Sequence, residues 1–219
     1  MIFDEELHLY SEDGVIFTSV NKFLENFQKP FAKGSISRAV AKNHEREVDD
    51  VLDQWDKKRD VSADYGKSIH NAVEYWNRWG LLPDQTHLRK VVDGIEAVYG
   101  AKRKFISEQK VVARELGIAG TIDILEPLGN KVVNIADIKT NDIYKPSKEK
   151  LLAPFSGYNA SKIIIYSLQL SLYAELLERM GLTVERLDIL HWTEDKFDVV
   201  PVERFDFTQA FKMKGLITS

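Results

Sequence analysis

Residues 118–139 read Ile118-Ala119-Gly120-Thr121-Ile122-Asp123-Ile124-Leu125-Glu126-Pro127-Leu128-Gly129-Asn130-Lys131-Val132-Val133-Asn134-Ile135-Ala136-Asp137-Ile138-Lys139. Two runs rich in β-branched residues flank Pro127-Leu128-Gly129-Asn130, so the stretch predicts a β-hairpin. Antiparallel partners keep a constant index sum, and a turn centred near Asn130 sets Asp123 opposite Asp137. Side chains alternate faces along a strand. Asp137 and Lys139 therefore point one way and Ile138 the other, so two carboxylates and an ammonium converge on one face. The neighbours Ile122, Ile124, Ile135 and Ile138 are too apolar for a fully exposed edge.

Outward from the hairpin, the order of elements sets the fold class. A β segment over 7–17 precedes a helix over 20–27 that Pro30 stops. Residues 35–58 carry helical spacing in Ile36, Ala39, Val40, Val48, Val51, Leu52 and Trp55, which predicts one or two amphipathic helices. Helices follow over 62–79, ended by Gly80 and Pro83, and over 86–98. A strand over 104–114 leads into the hairpin strands 118–126 and 131–139. A long loop, 140–160, holds Pro146, Pro154 and Gly157; loops of that length are usually functional or mobile. An apolar helix over 163–180, strands over 185–194 and 197–203 and a short carboxy-terminal helix complete the chain. This order predicts an α/β (α+β) fold, a mixed central β-sheet flanked by helices with an N-terminal helical lobe. The expected organisation is a single domain over 1–219: strand plus lobe over 1–61, core over 62–203, closing helix over 204–219.

Composition bounds the function. With 219 residues the chain can bury a sizeable core, and its lack of cysteine excludes disulfides, thiolate zinc sites and cysteine-ligated iron–sulfur clusters. No apolar run approaches the ~20 residues needed to span a bilayer. The acidic start Met1-Ile2-Phe3-Asp4-Glu5-Glu6 lacks an export signal, so a cytoplasmic setting is expected. A net charge of −4 argues against a protein that coats polyanions generally, but leaves room for local positive patches. Two exist: Lys102-Arg103-Lys104, and Lys139 with Lys145, Lys148, Lys150 and Lys162. Each patch reads equally well as solvated surface.

The hairpin charges suit one chemistry in particular. Hydrolysis of a phosphodiester uses a divalent cation to polarise phosphate and acidify a water, and hard cations prefer carboxylate oxygens. Asp123 and Asp137 supply those oxygens, and Lys139 is placed to stabilise charge developing on phosphate. His70 and Glu74 stand i, i+4 at the border of the stripe Ile69, Ala72, Val73 and Trp76. Taken alone His70 reads as a packed histidine, although imidazole is a legitimate ligand. Gln169 and Tyr173, also i, i+4, read either as boundary residues of a buried helix or as a pair that holds Lys139 or a phosphate. Glu108 reads equally as a further metal or water ligand and as a solvent-facing strand residue. His8, His87 and His191 are assigned to structure. Trp55, Trp76, Trp79, Phe155 and Tyr158 are available for base stacking, although core burial is the commoner fate of tryptophan.

Gly66-x3-His70, Gly120-x2-Asp123, Asp137-x-Lys139 and Gln169-x3-Tyr173, in that order, resemble the RecB-type exonuclease branch of the PD-(D/E)xK nuclease superfamily. Ser19-Val20, Pro30-Phe31, Ala41-Lys42 and Trp55 are similar, more weakly, to small phage and mitochondrial genome maintenance exonucleases. The resemblance implies a restriction-endonuclease-like core and a Mg²⁺- or Mn²⁺-dependent deoxyribonuclease without an iron–sulfur cluster. It implies His70, Asp123, Asp137 and the Ile138 backbone carbonyl as metal ligands. Lys139 would be catalytic, and Gln169 and Tyr173 would support the site. The chain departs from the family's usual pattern in carrying Asp, not Glu, at 137. Expected partners are DNA, single-stranded for preference, and replication or recombination proteins, in a bacterial or phage-infected cell. The rival readings are a structure-specific or restriction-like endonuclease, an inactive nucleic-acid-binding module, and a carboxylate metal site in an unrelated hydrolase.

Overall fold

A computed structural model describes residues 2–4, 9–102 and 104–218. The start of the segment expected over 7–17, His8 and Arg103 of the first basic patch lie outside the described residues. The chain opens with strands β1 (Ile2–Asp4), β2 (Leu9–Glu12) and β3 (Val15–Ser19), then helix α1 (Val20–Leu24), which a 3-10 turn extends to Phe27. Ser19 caps α1, its hydroxyl accepting the Lys22 N–H at 3.2 Å. Helices α2 (Lys33–Asn43), α3 (Val48–Trp79) and α4 (Thr86–Tyr99) follow. Strands β4 (Ile106–Ala113), β5 (Ile118–Gly129) and β6 (Val132–Lys139) lead to helix α5 (Lys162–Arg179). Strands β7 (Thr183–Trp192) and β8 (Phe197–Pro201) and helix α6 (Thr208–Met213) complete the order.

The strands form one mixed sheet in the order β1-β2-β3-β5-β6-β7-β8, with β4 on the other edge of β5. Contacts β3–β5 and β6–β7 are parallel; the others are antiparallel. Helices cover both faces. The fold is α+β, a mixed central sheet flanked by helices. On one face α1, α5 and α6 bury Phe23, Phe27, Leu172, Leu176 and Phe211 against Ile122, Leu125 and Ile135. On the other, α3 and α4 bury Ile69, Val73, Trp76, Val91 and Ile95 against Ile124, Ala136, Ile138 and Leu190. Helix α5 is apolar almost all round because it sits in the deeper layer, between sheet, α1 and α6.

One segment differs from the sequence reading. The expected break near residue 60 is absent: α3 is one helix of 32 residues, about 48 Å long. Lys57, Lys58, Arg59 and Asp60 there are compatible with helix, and nothing in that stretch stops one. The helix ends where expected, at Gly80, whose φ of 69° and capping N–H to Trp76 O make a left-handed C-terminus. The boundary expected between 61 and 62 thus falls inside α3. The 140–160 segment is the expected long loop, without a helix or strand of its own, and a Lys150–Asn159 bridge braces it. Ile143, Leu151 and Phe155 also anchor it in the core. Among the described residues no helix is long and apolar enough to cross a membrane.

Candidate metal centre

Strand β5 shares one edge between two partners. β3 pairs with Ile118 and Ala119, and β6 pairs from Ile124 onward. Between them, residues 120–123 have no ladder partner on that edge. The β5–β6 register, with Ile124 across from Ala136, continues to put Asp123 opposite Asp137, as the hairpin spacing predicts. The Asp123 side chain takes over where the backbone ladder ends: its Oδ2 accepts the Ile138 N–H at 2.7 Å. Asp137 is 3 % exposed and makes an ion pair with Lys139. Nζ of Lys139 also lies over the Tyr166 ring, 4.6 Å from its centroid. The two acids that the sequence places together are therefore engaged differently, Asp123 by a backbone N–H and Asp137 by an ammonium.

Helix α3 brings His70 to the opening. Its Nε2 donates to the Ile138 carbonyl at 3.2 Å, and its Nδ1 lies 3.6 Å from both Glu108 Oε1 and Asp123 Oδ1. His70, Glu108 and Asp123 offer ligand atoms that all lie within 4.8 Å of one another. Asp137 stands outside that group. The Ile138 carbonyl, expected as a metal oxygen, is engaged by the His70 ring; that bond fixes the ring and leaves Nδ1 turned to the carboxylates.

Glu108 reaches the group through an unusual backbone. In the β4–β5 ladder Ser107 pairs with Ile124 and Gln109 with Ile122, so Glu108 lies opposite Asp123 with no change of register around it. Its φ is +53°, a left-handed conformation that costs a non-glycine residue about 1 kcal/mol or more and must be imposed by its surroundings. The preceding residues are clamped to α3. Asn77 Nδ2 donates to Phe105 O at 3.1 Å, Ser107 Oγ donates to Asn77 Oδ1 at 3.1 Å, and Arg78 Nη2 donates to Ser107 O at 3.1 Å.

The charges bear on each other strongly. Burial alone would depress the His70 pKa, but the Asp123 charge and the Glu108 hydrogen bond outweigh it and hold the value at about 9. The imidazolium is the positive charge that balances the two carboxylates. Asp137 is pushed up to about 6, chiefly by burial, with Lys139 opposing and Asp123 adding to the rise. Burial likewise disfavours the Lys139 ammonium, yet Asp137 and Asp123 together keep it above its ordinary value.

The side chains on α5 meet the centre through a glycine. A Cβ on Gly120 would lie 2.5 Å from Tyr173 Cε1 and 3.1 Å from its hydroxyl. Tyr173 is buried over Gly120, and burial, then the nearby Asp137 charge, raise its pKa well above the ordinary value, against a hydrogen bond with Gln169. Gln169 and Tyr173 thus form one unit directed at the acids. Gly66 has no such constraint, since a Cβ there would make only an ordinary 3.6 Å contact with Thr140 Oγ1. Two residues of this region escape sequence reasoning. Tyr10 donates to or accepts from Thr121 Oγ1 at 2.9 Å, and the charges of Glu108 and Asp123 add to the burial that raises its pKa. Tyr166 carries Lys139. Tyr166 is within reach of the Gln169-x3-Tyr173 signal, since it lies three residues, just under one turn, before Gln169 on the same helix; no local signal marks Tyr10.

Lys145, Lys148, Lys150 and Lys162 are all exposed. Lys150 is spent inside the loop, its Nζ donating to Gly157 O at 3.1 Å. Of the aromatics considered for stacking, Trp76 and Phe155 are core. Trp79 is 59 % exposed, Tyr158 packs on Phe205, and Trp55 packs on Phe31. His191 lies edge-on to Tyr144, and His87 lies with Lys90 and Trp192 around a surface cleft.

No protein-family model and no curated protein matches this sequence. Among solved structures the chain is similar to SSO0001, at 15 % identity and a TM-score of 0.42 over 96 % of this chain and 78 % of that one. It is also similar to a protein described as a candidate exonuclease from Eubacterium rectale, at 13 % identity and a TM-score of 0.38 over 90 % and 76 %. Likeness at this level carries no argument about activity.

Proposed function

We propose that this protein is a metal-dependent nuclease that hydrolyses DNA phosphodiester bonds, acting as an exonuclease on single strands or DNA ends. The observation that carries the reading is the opening between β5 and β6. It gathers His70, Glu108 and Asp123 within 4.8 Å and places the buried Lys139–Asp137 pair beside them. Such a donor set, one imidazole and hard carboxylate oxygens, fits Mg²⁺ or Mn²⁺. The protonated His70 that now balances the acids marks where positive charge is needed.

His70, Glu108 and Asp123 would hold the cation, with Asp137 and the Ile138 carbonyl adjoining. A bound cation of this kind supplies Lewis-acid polarisation of phosphate and a more acidic water. The chain's own groups do the rest. Lys139 is pinned between Asp137 and the Tyr166 ring, so its ammonium needs little reorganisation to stabilise charge on the attacked phosphate. Asp137, with its raised pKa of about 6, is suited to take a proton from water near neutral pH. Tyr173, packed on Gly120 and hydrogen-bonded to Gln169, lines the α5 side of the strand that bears Asp123. The exonuclease mode is supported by the resemblance of the four motifs to the RecB-type branch.

The test is digestion of end-labelled linear and covalently closed circular single-stranded DNA, and of blunt duplex, with Mg²⁺ or Mn²⁺. Linear single strands should be degraded and closed circles should resist. Rapid cutting of circles would replace the exonuclease with an endonuclease, and no cutting of any nucleic acid would leave a binding module.

A further inference from the structure

At the amino-terminal end of α5 lies a second feature. Segment 28–31 and loop 145–149 form the two walls of a groove of about 480 Å³, whose floor is the first turn of α5. Lys29, Lys145 and Lys162 line it, and Glu149 is the one acid among the lining residues. None of the three lysines is tied to a carboxylate among the described residues. Phe31 stands at the rim, 67 % exposed. The walls are built rather than loose. Phe27 O accepts the Leu152 N–H at 2.8 Å, and the Phe27 and Phe155 rings meet edge-on at 5.2 Å. Phe31 rests on Trp55 of α3 at 6.1 Å, and Lys33 pairs with Asp56 at 3.0 Å.

The groove also has a direction. Lys162 and Tyr166 are i, i+4 on α5, about one turn or roughly 6 Å apart along the axis. Tyr166 supports the Lys139 ammonium at 4.6 Å. Three groove lysines, Lys29, Lys145 and Lys162, thus stand one turn of α5 from the residue that carries Lys139, on a protein whose net charge is −4.

We propose that this groove is the track for a single-stranded nucleic acid entering the metal centre, with phosphates on Lys29, Lys145 and Lys162 and one base stacked on Phe31. The inference rests on the nuclease reading above. Lysines spaced along a groove neutralise consecutive phosphates, and an exposed aromatic at its rim accepts an unpaired base whatever its identity. A duplex, whose bases are already stacked on each other, has no face to offer Phe31. Lys148 and Lys150, although neighbours in sequence, lie outside the groove lining, and Lys150 already braces the loop.

The experiment measures binding of a 5′-fluorescein-labelled oligothymidylate by anisotropy, without divalent cation, and separately turnover of bis(p-nitrophenyl) phosphate and of the oligonucleotide with Mn²⁺. Full-length Lys29→Glu, Lys145→Glu, Lys162→Glu and Phe31→Ala should each weaken binding roughly 5-fold or more. Each lysine change should flatten the slope of log affinity against log salt by about 0.7. Turnover of the small diester, too short to reach the groove, should stay unchanged in all four. Lys148→Glu should shift binding less than 2-fold, roughly the effect of a charge outside the contact. Wild-type affinity in Lys29→Glu and Phe31→Ala, or an equal loss in Lys148→Glu, overturns the track. Inactivity of the unaltered protein on both diesters would overturn the nuclease reading instead, and the anisotropy arm would still decide the groove.

Discussion

Tyr173 packs its ring directly on the backbone of Gly120, so closely that a Cβ at 120 would come within 2.5 Å of Tyr173 Cε1. The glycine carries no positive φ. Its role is space: it lets α5 approach the strand that bears Asp123 and sets the Tyr173–Gln169 unit at the opening. Gly120→Ala should cost about 1–3 kcal/mol, the usual penalty of overpacking. Gly120→Ala combined with Tyr173→Ala should cost clearly less than the two single changes together. Additive losses in urea denaturation would show that the two residues do not share this contact.

Lys139→Ala should abolish cleavage while oligonucleotide binding survives, because the ammonium acts on charge that develops in the transition state. The change also strands a buried carboxylate, so Asp137 should then be protonated at neutral pH. Retention of most of the turnover would remove Lys139 from the catalytic machinery.

His70→Ala, Glu108→Gln and Asp123→Asn should each weaken Mn²⁺ binding by isothermal titration calorimetry and eliminate activity. Asp137→Asn should abolish activity with a smaller loss of Mn²⁺ affinity, since Asp137 is held by Lys139 and stands outside the compact group. Equal losses of affinity at 123 and 137 would instead place both acids on the ion.

The clamp on β4 makes a claim about positioning. Ser107→Ala removes the hydroxyl that Asn77 accepts, and Asn77→Ala removes two of the three contacts that hold the residues before Glu108, leaving that of Arg78. With Glu108 freer to leave its left-handed conformation, Mn²⁺ affinity should fall roughly 10-fold or more, the range for partners that orient metal ligands. A merely structural role would lower the melting temperature and leave the affinity of the folded protein unchanged.

Without divalent cation, stability should depend on pH through His70. Its folded pKa of about 9 exceeds the ordinary 6.5, so the favourable contribution is complete below about pH 6.5 and is lost as pH rises to about 9. The span corresponds to on the order of 3 kcal/mol. Asp137, also raised, loses its contribution at lower pH, on the way up to about 6, and does not confuse that window. Urea denaturation at pH 6.5 and 9 should show the fall for the unaltered protein, and His70→Gln should abolish it. Saturating Mn²⁺ should abolish it too, because a cation takes the proton's place. A flat profile for the unaltered protein would show that His70 is not charged among the acids.

The amino-acid sequence by itself determines the elements and the hairpin. Alternation of β-branched residues around a Pro/Gly/Asn turn sets Ile124 across from Ala136, and local spacing alone then faces Asp123 with Asp137 and turns Ile138 to the core. Helix α5 and the Gln169–Tyr173 pair are legible for the same reason, because period and spacing are local properties of the chain. What only the tertiary structure decides is how distant segments share one strand. β3 and β6 both claim an edge of β5, and the gap between them is where Asp123 leaves the ladder and its carboxylate accepts the Ile138 N–H. The left-handed turn at Glu108 depends on Asn77 and Arg78 of α3, about thirty residues away, and Tyr10 meets Thr121 across 111 positions. No local propensity specifies these contacts: they form only when the whole sheet and both helical layers pack at once, and that packing turns an even-handed glutamate into the third member of the centre.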